Sequence, residues 1–215
     1  MEGIKQPPKV KAVYRAVISL FAEGADLNSL TVAEIAEKAG IGKGTVYEYF
    51  KNKEEMIAGA LFHQMKICCE SLYEEISRKK RLYDKFEIIL ANMEKEMTEI
   101  TFFIRALYVM VDNSAVSGRL RELWRVKGEE EVPVIDLMRR IIGDEIGPDE
   151  KIEERDMDYL VMTVLSRLIT YAIYQFGAEA KIKVDRKTMR ERLCMDICRD
   201  VESARGGQKW EYAIS

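Results

Sequence analysis

Seven residues between positions 31 and 53 share one kind of chemistry: Thr31, Lys43, Gly44, Thr45, Tyr47, Tyr49 and Lys53. Cations, hydroxyls and a bare glycine backbone are the groups that hold phosphate oxygens, and a nearby helix N-terminus favours anions further. Other chemistry is thinly supplied. The chain has one histidine, His63, so neither the E-x-x-H pairs of a di-iron bundle nor a Ser-His-Asp set has much to work with. Cys194 and Cys198 are spaced for a soft metal or an oxidation sensor, yet they sit beside the apolar stripe of a helix and read as buried thiols. Cys68 and Cys69 are adjacent, and the four cysteines do not form a disulfide framework. The sequence therefore predicts no enzyme, no cofactor and no metal site.

The elements that must position those seven residues are helices. The chain of 215 residues is 47% hydrophobic and 33% charged, enough for one good core or two modest ones, and its 4 prolines and 13 glycines fall mostly between segments of helical periodicity. An all-α fold of about nine helices follows. A first helix is expected from about Lys9 to Glu23, with Val13, Val17, Leu20 and Phe21 on one face and Gly24 past its end. Thr31 and Glu34 form a capping box that starts a second helix, which ends before Gly40. A third runs from Gly42 or Lys43 to about Phe50. Asn52, with Glu55 three residues on, caps a fourth that continues to about Lys79.

Two short helices joined at Gly40 cross steeply only where the contacts are small. Ala36 and Ala39 supply that, with Ile35, Ile41 and Val46 closing the core behind a positive-φ turn. The pattern is a helix-turn-helix with Lys43, Gly44, Thr45, Tyr47 and Tyr49 on the outer side of its second helix. An ordinary αα-hairpin has no need to expose two tyrosines. At this point "LTVAEIAEKAGIGKGTVYEYFKNKEEMI" resembles, almost position by position, the DNA-binding segment of the tetracycline-repressor (TetR) family of bacterial regulators, over roughly residues 10 to 57. The resemblance implies phosphate contacts from Thr31, Tyr47 and Lys53, and places Lys43, Gly44, Thr45 and Tyr49 near bases or phosphates. Two positions depart from the family pattern. Gly42 stands where a Ser cap is frequent, and Glu48 puts an anion beside the reading face. Either Glu48 points away from DNA, which repulsion from phosphates favours, or it accepts from a cytosine amino group.

Eight cations against six acids in residues 1–53 leave a charge of only about +2. A monomer would bind DNA weakly, and dimerisation doubles the contacts and matches two half-sites. The C-terminal part carries the apolar repeat for it. Met157, Leu160, Val161, Val164, Leu165, Leu168, Ile169, Ala172, Ile173 and Phe176 form one long stripe. Met162, Tyr171 and Tyr174 lie off it, so that helix is expected to be buried on two sides. Asp185 caps a last helix with Met189, Leu193, Ile197 and Val201. The expected dimer interface is Leu160, Val164, Leu168, Tyr171, Leu193, Ile197 and Val201, in the manner of the four-helix bundle of family dimers.

Three more helices are expected over about residues 82 to 142, the last kinked where Gly128 and Pro133 interrupt it. Family resemblance places a small-molecule pocket among them, and their Met and aromatic residues suit an adaptable apolar cavity. Phe86, Phe103, Leu107, Met110, Trp124, Met138, Met162 and Tyr171 are the expected effector contacts, with core packing as the plainer reading of each. The domains are read as 1–52 for DNA binding, 53–204 for ligand and dimer contacts, and 205–215 as a tail. No run of about 18 apolar residues spans a bilayer and "MEGIKQPPK" lacks a secretory h-region, so a cytoplasmic protein without membrane contact is expected. The function expected is a dimeric, ligand-responsive regulator, more a repressor than an activator, bound to a double-stranded inverted-repeat operator. A helical enzyme or carrier with a chance αα-hairpin is the alternative.

Overall fold

A computed structural model describes residues 6–95, 114–126, 133–147, 152–176 and 183–205, and all of its regular structure there is helical. The helices are α1 (Pro8–Ala22), α2 (Val32–Ala39), α3 (Lys43–Tyr49), α4 (Lys53–Ile76), α5 (Leu82–Lys95), α6 (Ser114–Val126), α7 (Pro133–Ile146), α8 (Glu154–Phe176) and α9 (Arg186–Arg205). Among the described residues these form two compact units. One comprises residues 6–68 with 114–126; the other comprises 69–95, 133–147, 152–176 and 183–205. Helix α4 runs through the end of the first into the start of the second.

Local chemistry sets the helix ends of the first unit. Thr31 Oγ1 accepts from the Glu34 amide at 3.2 Å while the Glu34 carboxylate takes the Thr31 amide at 2.7 Å, closing the capping box before α2. Gly40, at φ 68°, ends α2 in the left-handed region, where a side chain is strained. Asn52 Oδ1 accepts from the Glu55 amide at 2.9 Å, and the Glu55 carboxylate takes the Lys51 amide at 2.6 Å, so α4 also starts on a reciprocal cap. Behind these ends lies one core: Val13, Val17 and Phe21 of α1, Ile35 and Ala36 of α2, Val46 of α3, Met56 and Leu61 of α4, and Val116 and Leu120 of α6.

Gly59 is needed for a different reason. A Cβ on it would stand 2.3 Å from the Tyr14 hydroxyl and 2.8 Å from Tyr14 Cζ, so the tyrosine lies directly on the α4 backbone. Phe50 and His63 flank the Tyr14 ring, with centroids at 5.8 and 5.7 Å. Alanine at 59 gains about 1 kcal/mol in helix propensity but overpacks this contact, which costs about 1–3 kcal/mol. Gly59→Ala is expected to lower the midpoint of urea unfolding, and Tyr14→Phe in the same chain, which removes the clashing hydroxyl, to restore part of it. Equal losses in single and double variants would show that the contact is not the cause.

In the second unit α5, α7, α8 and α9 pack against one another. Phe86, Ile89 and Leu90 of α5, Leu137, Met138, Ile141 and Ile142 of α7, Leu160, Val161 and Val164 of α8, and Cys194, Ile197 and Val201 of α9 are its buried side chains. Arg139 pairs with Asp158 between α7 and α8, and Arg167 with Asp200 at 2.6 Å between α8 and α9. Asp185 caps α9 through the Thr188 amide at 2.9 Å.

Two expectations change here, while residues 127–132, where a kink before Pro133 is expected, lie outside the described residues. The residues assigned to a dimer interface are occupied in their own chain: Leu160, Val164, Leu168, Tyr171, Ile197 and Val201 are all buried, and Leu193 is half-buried. Ile169 and Ile173, placed on the same stripe, instead face outward with Tyr159 and Met162, the last at 59% exposure, which also removes Met162 from the effector contacts. The cause is that α8 is apolar on two faces. Periodicity shows that both exist, but not which one its own chain covers.

Candidate nucleic-acid interface

Val46, with no exposed surface, anchors α3 to the core, and the helix turns its other residues outward. Lys43, Gly44, Tyr47, Glu48 and Tyr49 are exposed and Thr45 is half-buried, so the residues expected to meet DNA stand together on one helix. Tyr47 at 51% and Tyr49 at 39% are large rings left in water, which a hairpin kept for packing would not spend its apolar surface on. Gly42 precedes α3 without a side-chain cap.

Two of the expected phosphate contacts already have structural work. The Thr31 hydroxyl donates to Glu34 Oε2 at 2.7 Å besides accepting from the Glu34 amide, so its proton must leave that carboxylate to reach a phosphate. These bonds hold the Glu34 carboxyl below its ordinary range. Lys53 Nζ donates to the Asn28 carbonyl at 2.6 Å, which ties the start of α4 to the segment after α1 and leaves the ammonium two further N–H groups. Sequence reasoning missed this bond. Nothing in the spacing of Asn28 and Lys53, 25 residues apart, announces it.

The expected effector residues divide. Phe86, Met138 and Tyr171 are buried in the second unit. Phe103, Leu107 and Met110 lie outside the described residues, as does the side chain of Trp124 in α6. Beside the apolar core, Tyr171 Oη donates to the Glu94 carboxylate, which also receives Arg190 at 2.6 Å, and Arg190 approaches Glu87 at 3.3 Å. Burial, then the bond to Glu94, pushes the Tyr171 hydroxyl well above its ordinary range. One turn further along α8, the buried Gln175 Nε2 has no hydrogen-bond partner. This polar cluster across α5, α8 and α9 was not foreseen, because its members lie 77 and 96 residues apart in pairs with Glu94. A surface cleft of about 510 Å³, edged by Lys80, Arg81, Arg199 and Arg205, also lies in this unit; no expected effector residue lines it.

Cys194 fits the buried reading, and Cys198 is half-buried. Burial, with Cys198 and Glu87 nearby, pushes Cys194 up to about 12, and burial raises Cys198 as well. At neutral pH both stay protonated, the unreactive form. The unfolded chain releases the Cys194 proton from about pH 9. The folded state holds it, so the stabilisation is complete below that pH and is lost as pH rises toward about 12. Cys194→Ala is expected to flatten part of the fall in unfolding free energy over this alkaline range, with Tyr171, Cys198 and the other raised tyrosines, Tyr14, Tyr73 and Tyr83, supplying the remainder. An unchanged slope would count against a buried thiol. Among the described residues no cluster of His, Cys, Asp and Glu could hold a metal ion, and no helix is long and apolar enough to cross a membrane.

Residues 15–60, which contain α2 and α3 and the exposed face between Lys43 and Tyr49, match the family described as "Bacterial regulatory proteins, tetR family". This segment of the chain is similar to that family. Among curated proteins, the chain is similar to the "Fatty acid metabolism regulator protein" of Bacillus subtilis (strain 168), 31% identical over 84 residues. That stretch is 39% of this chain and 43% of the relative, so the alignment spans less than half of either. The likeness of fold extends further than the likeness of sequence. FadR from Bacillus subtilis in complex with stearoyl-CoA superposes with a TM-score of 0.55 at 18% identity, over 90% of this chain and 98% of that one. The fatty acid degradation regulator FadR from Bacillus halodurans gives 0.57 at 16% identity, over 95% and 98%.

Proposed function

We propose that this chain is a dimeric transcriptional repressor of the tetR family that leaves an inverted-repeat operator when it binds a long-chain fatty acyl-CoA. The observation that carries the reading is the outer face of α3, where cations, hydroxyls and bare backbone stand exposed on a helix anchored by Val46. Lys43, Thr45, Tyr47 and Tyr49 line the major groove, Gly44 lets the backbone approach, and Lys53 and Thr31 hold phosphates at its edges. The effector class rests on the name of the Bacillus subtilis relative, a fatty acid metabolism regulator, and on the stearoyl-CoA held by FadR. The buried apolar side chains of Phe86 and Met138 and the hydroxyl of Tyr171, all in the second unit, suit an acyl chain with a polar head.

The dimer forms through the outward face of α8. Tyr159, Met162, Ile169 and Ile173, spaced by three, seven and four residues, leave four large apolar side chains exposed on one side. A second copy related by a two-fold axis covers this face with the same face. The two α3 helices then address half-sites about 34–36 Å apart, or a simple multiple of that spacing.

The test is a footprint of the full chain on duplex fragments retained from the genome that encodes it. A protected site with a dyad is expected, and a footprint without one would refute the dimeric reading. Lys53→Ala is expected to weaken binding to every sequence and to reduce the salt slope by about one, after its loss of the Asn28 bond has been checked by thermal unfolding. A changed sequence preference would show that Lys53 touches bases instead.

A further inference from the structure

We propose that Glu48 is a specificity residue that reads a cytosine in each operator half-site, an inference that rests on the DNA-binding role of α3 proposed above. In an α-helix, positions two before and two after a given residue lie about 160–200° round the axis from it. Val46 is fully buried, so Gly44 and Glu48 share the line of α3 that points straight away from the core. Lys43 and Tyr47 lie on one flank of that line, and Thr45 and Tyr49 on the other. Gly44 has no side chain and nothing stands within 4 Å of where its Cβ would be, so the carboxylate one turn on projects unscreened.

Several other acids nearby have partners, whereas Glu37 and Glu54, like Glu48, form no side-chain hydrogen bond or ion pair among the described residues. Glu23 pairs with Lys38 at 2.7 Å, Glu34 closes the cap of α2, and Glu55 closes that of α4. Among the described residues Glu48 forms no hydrogen bond and no ion pair. It does nothing for the fold, and it stands in the middle of a face otherwise suited to anions.

A major groove about 12 Å wide admits a helix so that its flanks meet the phosphate walls and its outward line meets the base edges. At the walls a carboxylate is repelled. On the floor, the guanine O6 and N7 and the thymine O4 are acceptors and repel it as well. Adenine offers an N6 donor beside the N7 acceptor, whereas cytosine offers its N4 amino group, the donor that Glu and Asp accept from. Glu48 thus discriminates mainly by penalising the other bases, and the flanking Lys43, Tyr47 and Tyr49 supply the attraction.

The experiment is a selection from a random duplex pool with the full-length wild type, Glu48→Gln and Glu48→Ala, followed by affinities on single-pair variants of the recovered site. Equal melting temperatures confirm that both variants fold, as expected for an exposed residue. The wild type is expected to require a C·G pair at one position of each half-site, and to bind about 10- to 100-fold more weakly when it becomes T·A. Glu48→Ala should bring all four pairs at that position within about threefold and bind random DNA more tightly. Glu48→Gln should turn the preference to adenine, whose N6 and N7 a glutamine amide can hold together. If Glu48→Ala selects the same pair at every position as the wild type and merely binds it more tightly, the carboxylate only repels and the inference is overturned. A pool from which the wild type retains no duplex overturns the DNA-binding reading itself.

Discussion

Changing Met162 and Ile173 together to Asp is expected to turn the protein into a monomer and to lower operator affinity by about 10²-fold or more. Both residues are roughly 60% exposed on one side of α8, so replacing them leaves the chain's own core intact. In a two-fold dimer each substitution occurs twice and brings carboxylates face to face in an apolar contact. Burying an unpaired carboxylate costs several kcal/mol. Losing the partner halves the phosphate contacts, and a N-terminal segment of charge about +2 has little attraction in reserve. Sedimentation should report one chain per particle while far-UV circular dichroism stays unchanged. A dimer that survives both substitutions would move the interface elsewhere. Leu160→Asp or Val164→Asp makes the contrast: these side chains are buried in their own chain, and their variants should fail to fold rather than dissociate cleanly.

Stearoyl-CoA is expected to weaken operator binding by about 5- to 150-fold, the range that 1–3 kcal/mol of coupling between two sites allows. Linkage requires the reverse as well: saturating operator must weaken acyl-CoA binding by the same factor. The physical link is α4, which carries Lys53 at its first residue and continues without a break to Ile76 in the second unit, so both sites bias one continuous helix. Titration calorimetry of the acyl-CoA with and without operator duplex measures both sides. Binding of the acyl-CoA unaffected by operator would separate it from release. Met138→Trp, on the buried face of α7, should reduce acyl-CoA affinity by overfilling the interior of the second unit, while leaving operator affinity without effector within about threefold.

The sequence by itself determined the local structure of the N-terminal unit almost to the residue. Thr31 with Glu34, Gly40 in the left-handed region and Asn52 with Glu55 are short-range devices, each closed within about four residues, so they can be read from neighbours alone. The same applies to Asp185 before α9. The reading face of α3 followed, because in a seven-residue helix the single buried position, Val46, fixes where the others point. Tertiary structure decided what depends on partners distant in sequence. Lys53 is tied to Asn28, and the cluster of Glu94, Tyr171 and Arg190 is assembled from three helices. Above all, α8 has two apolar faces, and pattern cannot rank them. Only the packing of α5, α7 and α9 in the same unit, where Leu160, Val164 and Leu168 are buried, shows which face is spent inside the chain, and so which one stays exposed.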